Sequence, residues 1–95
     1  ATLPKGVKAD DLKIVEGVGP AIEALLQGGG ITTWRELAAA SVERLREILA
    51  GGGSRFSMHD PSSWPAQAAL AADGRFAELQ SLQESLTGGR SAGGN

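Results

Sequence analysis

Three groups of residues in this 95-residue chain have types and spacing that could do chemistry. The first is Gly17-Val18-Gly19, followed by Pro20. Glycines there permit positive φ and close backbone approach, and a helix starting at Pro20 would offer free N–H groups and a positive dipole end to an anion. The second is Ser57, His59, Asp60, Ser62 and Ser63, which place hydroxyl, imidazole and carboxylate within a few residues. A catalytic triad needs its members oriented in space beside an oxyanion site, which adjacency does not supply. This run therefore reads as loop chemistry, with Asp60 and the serines bonding local backbone, and no catalytic residue is expected. The third is a pair of glycine runs, Gly28 to Gly30 and Gly51 to Gly53, the latter soon followed by Arg55. Neither precedes Lys-Ser/Thr or follows a strand, so neither is a phosphate-binding loop of the nucleotide-hydrolase type. Arg55 would approach a phosphate if its turn faced the same side as Gly17.

Metal and redox chemistry find little to work with. One histidine and no cysteine leave no plausible zinc site, and the carboxylates lack calcium-loop spacing. No metal or cofactor is expected. Trp34, Trp64 and Phe76 have side chains that stack on bases. At helical spacing within apolar faces they read as core, because an Ala/Leu-rich domain needs large side chains to fill its interior.

The elements that must position these residues are helices. Tyr is absent, β-branched residues are few and the apolar supply is mostly Ala and Leu, which disfavours a sheet. Lys8 to Glu16 reads as a first helix, with Asp10 and Asp11 near its N-terminus, where the dipole favours negative charge. Pro20 sits where a first helical residue should, and Ile22, Leu25 and Leu26 carry a second helix closed by the first glycine run. Thr33 and Glu36 fit a capping box opening a third. Ser41 caps a fourth, whose Val42, Leu45, Ile48 and Leu49 form an apolar face. Residues 54–63 read as a loop with Asp60-Pro61 initiating a turn. Pro65 to Ala72 is a fifth helix, and Phe76, Leu79, Leu82 and Leu86 mark a sixth reaching about Thr87. One internal echo stands out: Leu25-Leu26-Gln27-Gly28-Gly29-Gly30 resembles Ile48-Leu49-Ala50-Gly51-Gly52-Gly53. Composition alone can also produce it.

The stretch from Leu12 to Leu26, with its Gly-hydrophobic-Gly turn between two apolar helical patterns and Pro20 in register, resembles the helix-hairpin-helix family. Ile31 to Leu37 resembles the connector helix that follows such hairpins in DNA ligases, glycosylases and repair nucleases. His59 to Gly74 resembles the C-terminal extension of a bacterial group of helix-hairpin-helix accessory domains. The resemblance implies an all-α, SAM-like bundle of five to six short helices. It also implies phosphate contact through the amides of Gly17, Val18, Gly19 and Ala21; by position in the sequence, Lys13 and Lys8 are the nearby cations, and Arg55 is a secondary contact if its turn faces the same side. Where DNA-binding hairpins place Lys or Arg just after Gly-Pro, this chain has Ala21, Ile22 and Glu23, and Glu16 flanks the other side.

Net charge is −2 with acids and bases interspersed, so the basic footprint of a nucleic-acid-binding domain is missing. No apolar run approaches the ~20 residues of a membrane span, so no membrane insertion is expected, and with no signal-peptide pattern a cytoplasmic setting is favoured. The expected organisation is an arm over 1–8, one domain over 9–87 and a flexible tail over 88–95. The expected function is a non-catalytic accessory module making sequence-independent contact with the backbone of duplex nucleic acid, DNA in particular. The alternative is a protein-docking domain of a larger chain.

Overall fold

The hairpin is the point from which the chain's elements are laid out. The computed structural model describes residues 3–94, with side chains through Thr87. Among these residues six α-helices follow a single 3-10 turn at Leu12–Ile14. They are α1 (Pro20–Gly28), α2 (Trp34–Ala39), α3 (Val42–Gly51), α4 (Ser54–Ser57), α5 (Trp64–Ala72) and α6 (Phe76–Gly94). Among the described residues there is no strand. The last part of α6 covers the expected tail, whose side chains, like Asn95, lie outside the described residues. In the expected arm, the side chains of Leu3 and Val7 are half-buried against the core, and Ala1 and Thr2 lie outside the described residues.

The expected first helix over 8–16 is only the 3-10 turn. Asp10 adopts left-handed backbone (φ 60°) and Asp11 is extended, so no helix can run through them. Long-range bonds impose this shape. Asp10 Oδ1 accepts the Trp34 N–H at 2.9 Å, giving a partner to a first-turn donor of α2, and the Trp34 indole donates to the Asp11 carbonyl at 2.9 Å. Four residues then suffice to bury both Leu12 and Val15.

The later elements begin and end where their caps dictate. Pro20 opens α1 with its φ already set. Thr33 accepts from the Glu36 N–H at 3.0 Å, and the Glu36 carboxylate takes the N–H groups of Thr32 and Thr33 in return, which completes the capping box. Ser41 caps α3 through the Arg44 N–H. The short α4 lies within the stretch expected as a loop.

The core joins Leu12, Val15, Val18, Ile22, Leu26, Leu37, Leu45, Leu49 and the two tryptophans. Burying each such large side chain contributes about 1.5–3 kcal/mol. The most extensive helix pairing is α2 on α5, with α6 against α5 and α1 against α3. Trp34 is buried and meets the half-buried Phe76 edge-on, ring centroids 5.8 Å apart, so both serve as core. Ala68 and Ala71 keep α5 slim enough to pack closely on α2.

The α1–α3 pair gives the sequence echo a structural meaning. A Cβ on Gly29 would stand 2.8 Å from Ile48 Cδ1, and one on Gly52 would stand 2.5 Å from Leu25 Cδ1. Leu25 and Ile48 occupy equivalent places in the echo, as do Gly29 and Gly52. Each helix thus rests an aliphatic side chain on the other's C-terminal glycine, a contact with local two-fold character.

Candidate functional site

The hairpin turn is pinned from within. Val18 is buried and its N–H donates to the Val15 carbonyl at 3.0 Å, so this candidate amide is taken. The amides of Gly17, Gly19 and Ala21 have no hydrogen-bond acceptor among the described residues. Gly17 has φ +104°, and a Cβ there would stand 2.9 Å from Trp64 Nε1, so both backbone shape and the indole edge demand glycine.

The residue that holds the turn escaped the sequence reading. Gln67 is fully buried on α5, on the same face as Trp64, Ala68 and Ala71. Its Oε1 accepts from the Glu16 N–H at 2.7 Å and from Gln83 Nε2 at 2.9 Å. Its Nε2 donates to Ser63 Oγ at 3.1 Å and to the Glu16 carbonyl at 3.3 Å. Gln83 Nε2 also donates to the Ile14 carbonyl at 2.7 Å. Two amide side chains from the C-terminal helices therefore satisfy the backbone that leads into the hairpin. The available signal was a lone polar residue on the apolar stripe of an alanine-rich helix.

The electrostatics around the hairpin oppose a phosphate. Lys13 Nζ lies 3.1 Å from Asp11 Oδ1 and 3.3 Å from Glu23 Oε1. Hydrogen bonds to these two carboxylates raise the Lys13 pKa, so the expected phosphate cation is charged but already neutralised by its neighbours. Burial works to raise the Asp11 pKa, yet the Lys13 bonds outweigh it and the net shift is downward. Glu16 is exposed at the rim of the turn.

Arg55 stands elsewhere. Gly52 and Phe56 meet at Leu25, toward the far end of α1, whereas the hairpin is at its start. The nine residues of α1 separate its ends by about 13 Å. Lys13, Gly17, Gly19 and Ala21 are thus gathered at one end of α1, and Arg55 at the other. Its guanidinium lies 4.7 Å from the centre of the Phe56 ring.

The Ser/His/Asp run meets the hairpin in a cavity of about 240 Å³, lined by Glu16, Gly17, His59, Asp60, Ser63 and Trp64 among others. Several of the run's polar groups are occupied locally. Asp60 Oδ1 accepts from the Ser62 N–H at 3.0 Å and pairs with Arg46 at 3.3 Å, and Ser57 Oγ donates to the Ser54 carbonyl at 2.8 Å. The backbone bond from Ser62, followed by the Arg46 charge, lowers the Asp60 pKa. No Ser–His hydrogen bond occurs among the described residues. No group of three or more potential metal ligands occurs among them, and none of their helices is long and apolar enough to cross a membrane.

An all-helical bundle organised on a Gly-Val-Gly turn, with the next helix entered through proline, defines a helix-hairpin-helix module. The chain belongs to the RS2/RL21/YNQ2 HHH domain family, whose model matches residues 12–72. Its relatives include large ribosomal subunit protein bL21 of Hyphomonas neptunium, 41% identical over 63 residues, covering 63% of this chain and 29% of that protein. Another is an uncharacterized 22.9 kDa protein in the nqo2 3′ region of Paracoccus denitrificans, 38% identical over 69 residues, covering 70% of this chain and 31% of that protein. The chain thus spans under a third of the length of either relative. No solved structure matches it significantly.

These relatives correct the functional expectation. A general accessory module for duplex nucleic acid is overturned by the RS2/RL21/YNQ2 family match and the ribosomal bL21 relative, and the protein-docking alternative gains no support from them. The physical reason for the misreading is visible at the hairpin. The turn that suggests DNA contact is shared by the whole fold class, while Asp11, Glu16 and Glu23 surround it here with negative charge.

Proposed function

We propose that this chain is a non-enzymatic structural module of a ribosomal protein, and that its partner is folded ribosomal RNA within the particle. The observation that carries the reading is the 41% identity to a large ribosomal subunit protein across 63 residues. The distribution of cations supports it. Lys5, Lys8, Arg35 and Arg55 are exposed and form no ion pair among the described residues, whereas Lys13, Arg44, Arg46 and Arg75 are each paired with a carboxylate. Unpaired cations scattered over a near-neutral surface suit a module that touches RNA phosphates at a few points inside a larger assembly. Steep salt-dependent binding as an isolated domain needs many such contacts. In this reading the hairpin mainly positions helices, with Gln67 and Gln83 holding it, and the open amides of Gly17, Gly19 and Ala21 are secondary contacts.

The test is co-sedimentation of the chain with purified large ribosomal subunits, followed by chemical footprinting of the RNA. The expected result is a saturable association with a localised footprint. A chain that stays at the top of the gradient at both low and physiological salt overturns the reading.

A further inference from the structure

We propose that Arg55, Phe56 and Met58 form a stacking platform for an unpaired RNA base, an inference that rests on the ribosomal reading and names its contact surface. The geometry is preorganised. Phe56 is half-buried, and its ring edge lies where a Cβ on Gly52 would come within 2.9 Å, so α4 anchors it to the end of α3. Arg55 Cζ lies over that ring, 4.7 Å from its centre, and the residue is exposed, so the guanidinium rests on an aromatic and remains accessible. Arginine and aromatic planes are the surfaces on which proteins stack splayed RNA bases. At the C-terminal cap of the same helix Met58 is 85% exposed, the single large apolar side chain so exposed among the described residues. An unbranched thioether is suited to covering the edge of a flat ligand.

Charge complementarity selects RNA as the occupant. From Ile48 to His59 the chain carries no acidic residue, and Arg55 is the one arginine or lysine in that stretch. No carboxylate pairs with Arg55 among the described residues, in contrast with Arg44, Arg46 and Arg75. A cation on an aromatic, paired with no carboxylate among the described residues and followed by an exposed thioether at the cap of the same helix, matches a base with its phosphate.

A single-stranded RNA oligonucleotide carrying 2-aminopurine tests this, with a duplex of the same sequence as comparison. The expected result is quenching by the chain with the single strand and not with the duplex. Arg55→Ala should weaken single-strand binding by about tenfold and Met58→Ala by a few-fold. Arg55→Lys, which keeps the charge and loses the plane, should behave nearly as Arg55→Ala, and Arg75→Ala should bind as the unmodified chain. Arg55, Met58 and Arg75 are exposed, so these variants fold. Absence of quenching, equal binding of the duplex, or an Arg55→Lys chain that binds normally overturns the platform. Co-sedimentation with ribosomal subunits is read separately. If it survives in Arg55→Lys without loss, the ribosomal reading stands and the platform falls; if the unmodified chain fails to sediment, the ribosomal reading falls.

Discussion

Two of the molecule's glycine turns do opposite things with their charge. At Gly17 to Gly19 the turn is clamped by Gln67, its cation is shared between Asp11 and Glu23, and Glu16 sits on its rim. At Gly51 to Gly53 the flanking residues carry no acid as far as Asp60, and Arg55 rests on Phe56 rather than on a carboxylate. The first turn carries the family's signature and is devoted largely to internal structure. The second, which carries no recognised signature, leaves an arginine free. A motif thus marks where the backbone must bend, and the surrounding charges determine whether the bend can meet a polyanion.

The largest effect is expected where the first turn is held. Gln67→Leu should cost about 3 kcal/mol or more, because it leaves the Glu16 backbone groups and Gln83 without their buried partner; urea unfolding measures it. A loss below about 1 kcal/mol would show that water replaces the clamp. Gly17→Ala should cost about 2 kcal/mol, through its positive φ and the 2.9 Å approach to Trp64.

The second turn and its counterpart offer a finer comparison. Gly52→Ala should cost about 1–2 kcal/mol, because the new methyl meets the anchored Phe56 ring as well as Leu25. Gly29→Ala meets Ile48 at Cδ1 and Cγ1 but no ring, and should cost less, about 0.5–1 kcal/mol. Equal losses would mean that the two-fold likeness of α1 and α3 extends to their energetics.

Acid should act more weakly, through three hydrogen-bonded carboxylates: Asp11 beside the first turn, Glu36 in the capping box and Asp60 in the loop before α5. The backbone and hydroxyl bonds from Thr32 lower the Glu36 pKa, and the Ser62 bond lowers that of Asp60. A depressed folded-state pKa stabilises the protein above the unfolded value and loses that contribution as pH falls through the folded one. Thermal stability should therefore be flat near neutrality and decline below about pH 4. Glu36→Gln should make that decline shallower; an unchanged slope would assign it to other carboxylates. The smallest effect is expected from Lys13→Ala, whose ion pairs are partly exposed and screened. Co-sedimentation with ribosomal subunits should barely change, and a large loss would return the RNA contact to the first turn.

How much of this was legible depends on how local the cause is. Pro20, the Thr33–Glu36 box, Ser41 and the glycine runs mark the limits of α1, α2 and α3 because caps and breakers act within a turn of chain. The helix expected over 8–16 failed because Asp10 and Asp11 bond to Trp34, more than twenty residues away. The role of Gln67 is invisible along the chain because its partners lie on Glu16 and Gln83. The functional expectation went astray at the same hairpin, whose pattern belongs to the fold class as a whole.

The sequence by itself determined that the chain is helical, where most helices start and stop, and that a Gly-Val-Gly turn joins two elements. These follow from backbone sterics and short-range hydrogen bonding, which operate between near neighbours. Only the tertiary structure decided which cations are neutralised, which amides are open and which arginine rests on an aromatic ring. Those properties depend on side chains brought together from distant parts of the chain, at distances of a few ångströms that spacing along the sequence does not encode.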